Sequence, residues 1–125
     1  MKQRVFRLDR FMVPVAGREE FLEQVRRTHE VLRDLPGFID DVVLERPAGA
    51  SRFSIVTLVT WESQEAFEDA RVAISVAHRK AGFDRHKMMA RLGIEADIGS
   101  YHEASDSLPA AIRKRGTAVR DEVLR

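Results

Sequence analysis

The sequence predicts an α+β domain in which one antiparallel four-stranded sheet carries two long helices on a single face. Three observations predict it. Residues 52–61, RFSIVTLVTW, alternate as a strand, with Phe53, Ile55, Thr57, Val59 and Trp61 on one side and Ser54, Val56, Leu58 and Thr60 on the other. The period then changes to that of a helix, on which Phe67, Ala70, Ile74, Ala77 and His78 share one stripe. The same order of strand, then helix, occurs earlier in the chain, over residues 4–35.

Taken in order, residues 4–13 alternate Val5, Arg7, Asp9, Phe11 and Val13 against Phe6, Leu8, Arg10 and Met12, a strand ended by Pro14. Gly17 precedes a helix whose apolar stripe is Phe21, Leu22, Val25, His29 and Leu32, with Glu19 and Glu20 suited to its first turn. Leu35-Pro36-Gly37 stops it, because proline disfavours helix at the residue before it and glycine permits the turn. A second strand over 38–46 turns at Pro47-Ala48-Gly49-Ala50 into the strand at 52–61, making an antiparallel hairpin. Ser63 is a good N-cap for the second helix, which fades near Ala81-Gly82. A shorter helix is expected over 84–92, with Met88, Met89 and Leu92 inward and Gly93 at its end, followed by a last strand in 94–103. The order β-α-β-β-α-α-β is the split βαβ, ferredoxin-like arrangement.

Composition bounds the function classes. At 125 residues the chain has the length of one domain, with 44% hydrophobic and 33% charged residues. A net charge of +1 supplies no electrostatic footprint for nucleic acid, and the absence of cysteine excludes thiolate chemistry and disulfides. Neither a signal peptide nor an apolar run of about 18 residues is present, so a cytoplasmic location with no membrane contact is expected. Residues 1–104 are read as the domain and 105–125 as a C-terminal arm, partly helical or flexible. Phe6, Leu8, Met12, Val42, Leu44, Val56 and Leu58 fall on the sheet face opposite the helices, and a second copy of the chain is the expected cover.

With these elements in place, the chain resembles the antibiotic biosynthesis monooxygenase family of dimeric α+β barrels. Leu35-Pro36-Gly37-Phe38, the strand 56–61 and the run Trp61-Glu62-Ser63-Gln64-Glu65-Ala66-Phe67 carry the likeness. In the branch of that family that oxidises anthrones without metal or flavin, the pocket lies between sheet and helices. Its strand-end tryptophan matches Trp61, its strand asparagine falls on Thr57 and its helix tyrosine falls on Phe67. In the haem-degrading branch, a ligating histidine matches His78, a strand asparagine falls on Asp9 and a helix tryptophan falls on Ala70. Loss of that tryptophan argues against haem degradation and leaves haem binding open.

The resemblance and the periodicity together nominate His78, His29 and Asp9 as catalytic, with Trp61, Thr57, Phe67 and Phe11 as the substrate wall. Both histidines sit on helix stripes that face the sheet, where a polar residue must find a partner. Asp9 is expected either to orient a histidine or to pair with Arg7 or Arg10. His86 and His102 have polar neighbours, and no metal-ligand spacing links the four histidines. The resulting expectation is a cofactor-independent monooxygenase in which a neutral histidine deprotonates a small aromatic or quinone-type substrate and the anion reduces dioxygen. The alternatives are a non-catalytic dimer that holds haem or a hydrophobic small molecule, and an assembly module whose interior is packed. A cavity below a few hundred Å³ between helices and sheet favours the last of these.

Overall fold

The structure, a computed structural model, describes residues 2–104 of the chain. The strands are β1 (Val5–Pro14), β2 (Phe38–Pro47), β3 (Arg52–Trp61) and β4 (Glu95–Tyr101). The helices are α1 (Arg18–Arg33), α2 (Gln64–Lys80) and α3 (Arg85–Leu92), with a 3-10 turn at Val15–Gly17 before α1. All strand pairs are antiparallel and the sheet order is β2-β3-β1-β4, so β1 and β3 are central. This is the α+β, ferredoxin-like fold expected from the element order. The C-terminal arm expected over 105–125 lies outside the described residues.

Local signals place the ends of the helices. Ser63 Oγ accepts from the Ala66 backbone N–H at 3.1 Å and so caps α2, as its residue type predicts. Asp84 caps α3 through the Lys87 N–H, and Gly93 closes it with φ of 71°. Gly37 ends the α1–β2 turn at φ +84, where an added Cβ would collide with the Ala66 Cβ. The turn therefore needs glycine for its conformation and for the close approach of α2.

The core lies between the sheet and its helices in two clusters. One joins Val5, Val59, Trp61, Phe67 and Ala70; the other joins Phe11, Val13, Phe21, Ile55 and Met88. Trp61, Ile55 and Val13 are fully buried, and removing such side chains from water contributes about 1.5–3 kcal/mol each. Among the described residues no helix lies over the opposite sheet face. Leu44 is 57% exposed and Tyr101 55%, beside half-buried Phe6, Leu8, Val56 and Leu58.

One irregularity positions the site. Phe38 pairs with Trp61 and Asp40 with Thr60, so a bulge at Ile39 shifts the β2–β3 register by one residue. Phe38 packs edge-on against Trp61, at 5.8 Å between ring centroids on the helix side. Strict alternation from Phe38 would put Asp40 on that side; the bulge puts Asp41 there instead.

Candidate functional site

Between the helices and the sheet lies a cavity of about 170 Å³. Its floor is the inward row of β1 and β3, where Asp9 pairs in register with Thr57 and Arg7 with Val59. Trp61 and Phe67 wall one end, Phe11 and Phe21 the other, and α1 and α2 bring in His29 and His78. The candidates Trp61, Thr57, Phe67, Phe11, His29, His78 and Asp9 therefore all line one space. Their alternation on β1 and β3 and their stripes on α1 and α2 were the signals that found them.

The two histidines differ in their partners. His29, 6% exposed, makes a 2.8 Å contact from Nδ1 to Asp41 Oδ2, and Arg33 Nε donates to the same oxygen at 3.1 Å. Burial pushes the Asp41 carboxyl up, but hydrogen bonds from Arg33 and His29 outweigh it and hold the group below its ordinary value. An ionised Asp41 fixes the His29 proton on Nδ1 and leaves the Nε2 lone pair for another partner. His78 is half-buried, and its Nε2 lies 3.3 Å from Thr28 Oγ1, which itself accepts from Gln24 Nε2 at 3.4 Å. Its ring packs edge-on against Phe83 at 4.9 Å. Burial, and then the Arg85 cation, push its pKa down, favouring the neutral ring.

Asp9 does not orient a histidine. Its Oδ1 lies 3.1 Å from Arg7 Nε, without the alignment of a hydrogen bond, and its Oδ2 lies 4.0 Å from Arg85. Burial raises the Asp9 pKa, opposed by the charges of Arg7 and Arg85. Arg10, the other expected partner, is on the opposite face and exposed. Three functional candidates escaped the sequence reading: Asp41, Arg85 and Thr28. Thr28 lies on the α1 stripe between Val25 and Leu32 but is not apolar, Arg85 stands at the start of a short helix, and Asp41 was concealed by the bulge.

Among the described residues no group of three or more His, Asp or Glu side chains is arranged to hold a metal ion. Two features bear on the haem-binding alternative. The cavity is below the 300–1,000 Å³ of pockets for drug-sized ligands, and His78 Nε2 is engaged by Thr28. Among the described residues no helix is long and apolar enough to cross a membrane.

Solved structures share the architecture. SnoaB of Streptomyces nogalater, a cofactor-independent oxygenase solved in a mutant form, is 23% identical, with a TM-score of 0.59 over 82% of this chain and 94% of that one. A dimeric ferredoxin-like protein from an uncultured marine organism is 10% identical, with a TM-score of 0.60 over 82% and 97% of the two chains. The de novo designed protein Foldit4 is also 10% identical, with a TM-score of 0.56 over 81% and 99%. At these identities the likeness establishes the fold and no activity, since one fold hosts many functions. No curated protein matches the chain in sequence. The sequence profile described as antibiotic biosynthesis monooxygenase, however, matches residues 5–80, which span β1 through α2 and carry most of the cavity. The chain thus belongs to the antibiotic biosynthesis monooxygenase family.

Proposed function

We propose that this protein is a cofactor-independent monooxygenase acting on a small aromatic or quinone-type substrate in the cavity between sheet and helices. The observation that carries this reading is the part-buried Asp41–His29 pair beside an aromatic-walled cavity. Asp41 orients the ring, so His29 Nε2 is the base that takes a phenolic or benzylic proton. His78 is the less suitable base, because Thr28 already occupies its Nε2. Trp61, Phe67 and Phe11 hold the substrate ring, and the Thr57 hydroxyl serves a substrate oxygen. Asp9 acts by holding Arg7 and Arg85 and is not itself the base.

The deprotonated substrate is electron-rich and reduces dioxygen. One oxygen atom bonds to the substrate carbon, the O–O bond breaks, and the other oxygen leaves as water with two substrate hydrogens. All four electrons come from the substrate, so no external reductant enters the balance. A cavity of about 170 Å³ suits one ring, since an engineered apolar cavity of about 150 Å³ holds benzene. In this reading the exposed apolar sheet face pairs with a second copy of the chain, as the dimeric ferredoxin-like neighbour suggests.

The test is oxygen uptake by chelator-treated protein offered hydroquinones and anthrones, for wild type, His29→Gln and the His29→Ala/His78→Ala double variant. Uptake with single-ring hydroquinones in preference to anthrones, lost in His29→Gln, is expected. Full turnover by the double variant would remove the base assignment, and no uptake with any substrate would remove the monooxygenase reading. The small cavity itself favours a second reading, an assembly module whose interior is packed. A saturable, red-shifted Soret band on hemin titration, lost in His78→Ala, would instead move the protein to the haem-binding class.

A further inference from the structure

The charges around the cavity do not balance. Its lining includes three guanidinium groups, Arg7, Arg71 and Arg85, and one carboxylate, Asp9. Arg7 is well occupied: it lies 3.1 Å from Asp9, donates to Ser100 Oγ at 3.2 Å and covers the Phe67 ring at 5.5 Å. Arg85 is not. Its side chain is 36% exposed, its nearest carboxylate oxygen is Asp9 Oδ2 at 4.0 Å, and that carboxylate is shared with Arg7. Its guanidinium carbon lies 5.9 Å from the centre of the Phe11 ring. That carboxylate oxygen stands beyond hydrogen-bonding distance, so the ion pair leaves the Arg85 fork unengaged by Asp9. Burial and the neighbouring Arg7 cation both press the Arg85 pKa down, only partly offset by Asp9, so a second anion beside it is electrostatically favoured.

The placement of Arg7, which shares Asp9 with Arg85, relates the two cations to the Asp41–His29 pair. Arg7 on β1 and Asp41 on β2 flank Val59 of β3 in one cross-strand row. Their backbones are thus two strand spacings apart, about 10 Å. The cavity is lined by these arginines and by His29, so a single aromatic ring carrying both an anionic group and a hydroxyl suits it. A planar fork of N–H donors over an aromatic wall is suited to a carboxylate, which it meets with two parallel hydrogen bonds.

We propose that Arg85, supported by Arg7, is an anion-recognition residue and that the cavity takes a single-ring aromatic carboxylate carrying a ring hydroxyl. The proposal rests on the monooxygenase reading for the role of that hydroxyl, and on the arginines alone for the carboxylate. Binding therefore tests it without turnover. Anaerobic titrations of 2,5-dihydroxybenzoate and its neutral amide, 2,5-dihydroxybenzamide, are read by quenching of Trp61, the one tryptophan in the chain, and by calorimetry. The acid is expected to bind at least tenfold more tightly than the amide. Arg85→Gln is expected to weaken the acid roughly 10- to 100-fold, the range for a hydrogen bond to a charged group, and to leave the amide unchanged. Arg85→Lys, which keeps the charge and loses the fork, is expected to fall between. Equal binding of acid and amide, an equal loss of both in Arg85→Gln, or binding of neither at millimolar concentration overturns the proposal. An acid that binds through Arg85 yet consumes no oxygen on aeration removes the monooxygenase reading and leaves the anion site. Oxygen uptake with neutral hydroquinone and no preference for the acid does the reverse.

Discussion

Asp41→Ala is the perturbation that separates a built histidine–carboxylate pair from a chance contact. The Asp41 side chain is 11% exposed and His29 7%, so deleting the carboxylate strands the Nδ1–H of a buried ring. An unsatisfied buried donor costs about 1–3 kcal/mol. The Arg33 contact adds little, because that side chain is 54% exposed and screened pairs contribute about 0–1 kcal/mol. A net loss of about 2–3 kcal/mol is expected at pH 7, or roughly 6–15 °C in Tm for a chain of this length. The sign of the pH dependence follows from Asp41 being held below its ordinary value. Its contribution is present above the unfolded carboxylate value of about 3.9 and is lost as pH falls through the lower, folded value. The gap between wild type and Asp41→Ala should therefore narrow below about pH 4. Urea unfolding followed by circular dichroism, repeated from pH 7 to pH 3, measures both. A variant as stable as wild type at pH 7, or a gap constant across that range, would refute the pairing.

Other changes test the walls and the open face. Trp61→Ala removes a side chain that is 2% exposed and should cost about 3–5 kcal/mol in denaturant unfolding. The His78 pKa is depressed, so the neutral ring's stabilising contribution is present above about 6.5 and is lost as pH falls through the folded value. Wild type should therefore lose Tm relative to His78→Gln between pH 7.5 and 5, and a constant difference would contradict this. Gly37→Ala combines φ of +84 with a Cβ driven into that of Ala66 and should destabilise by about 2 kcal/mol or more, read by thermal unfolding. Leu44→Glu with Leu58→Glu should convert a dimer to a monomer in sedimentation; a monomeric wild type would remove the proposed pairing of sheets.

Periodicity determined most of what is visible here. Alternation over 52–61 assigned Ile55, Thr57, Val59 and Trp61 to one face, and that face is buried. The α1 stripe put His29 against the sheet, and Ser63 and Gly93 marked the helix ends, because caps and αL turns are local chemistry. The candidate site was legible to the same depth: every nominated residue lines the cavity.

What the sequence could not contain is which polar groups meet. Asp9 sits on the inward face as alternation requires, but Arg85, far along the chain at the start of α3, decides its partner together with Arg7. Asp41 is the clearer case. β2 is an edge strand, largely exposed on both faces, so its burial imposes no readable pattern, and a one-residue bulge at Ile39 reverses which aspartate faces α1. Strand periodicity has a period of two and no memory of a bulge, so one inserted residue exchanges inside for outside. The sequence by itself determined the elements, their order and their apolar faces, because these follow from short-range geometry. Only the tertiary structure decided that Asp41 holds His29, that Arg85 is left with half a partner, and that the cavity between sheet and helices has room for about one ring. Each of those depends on register and on contacts between residues far apart in the chain.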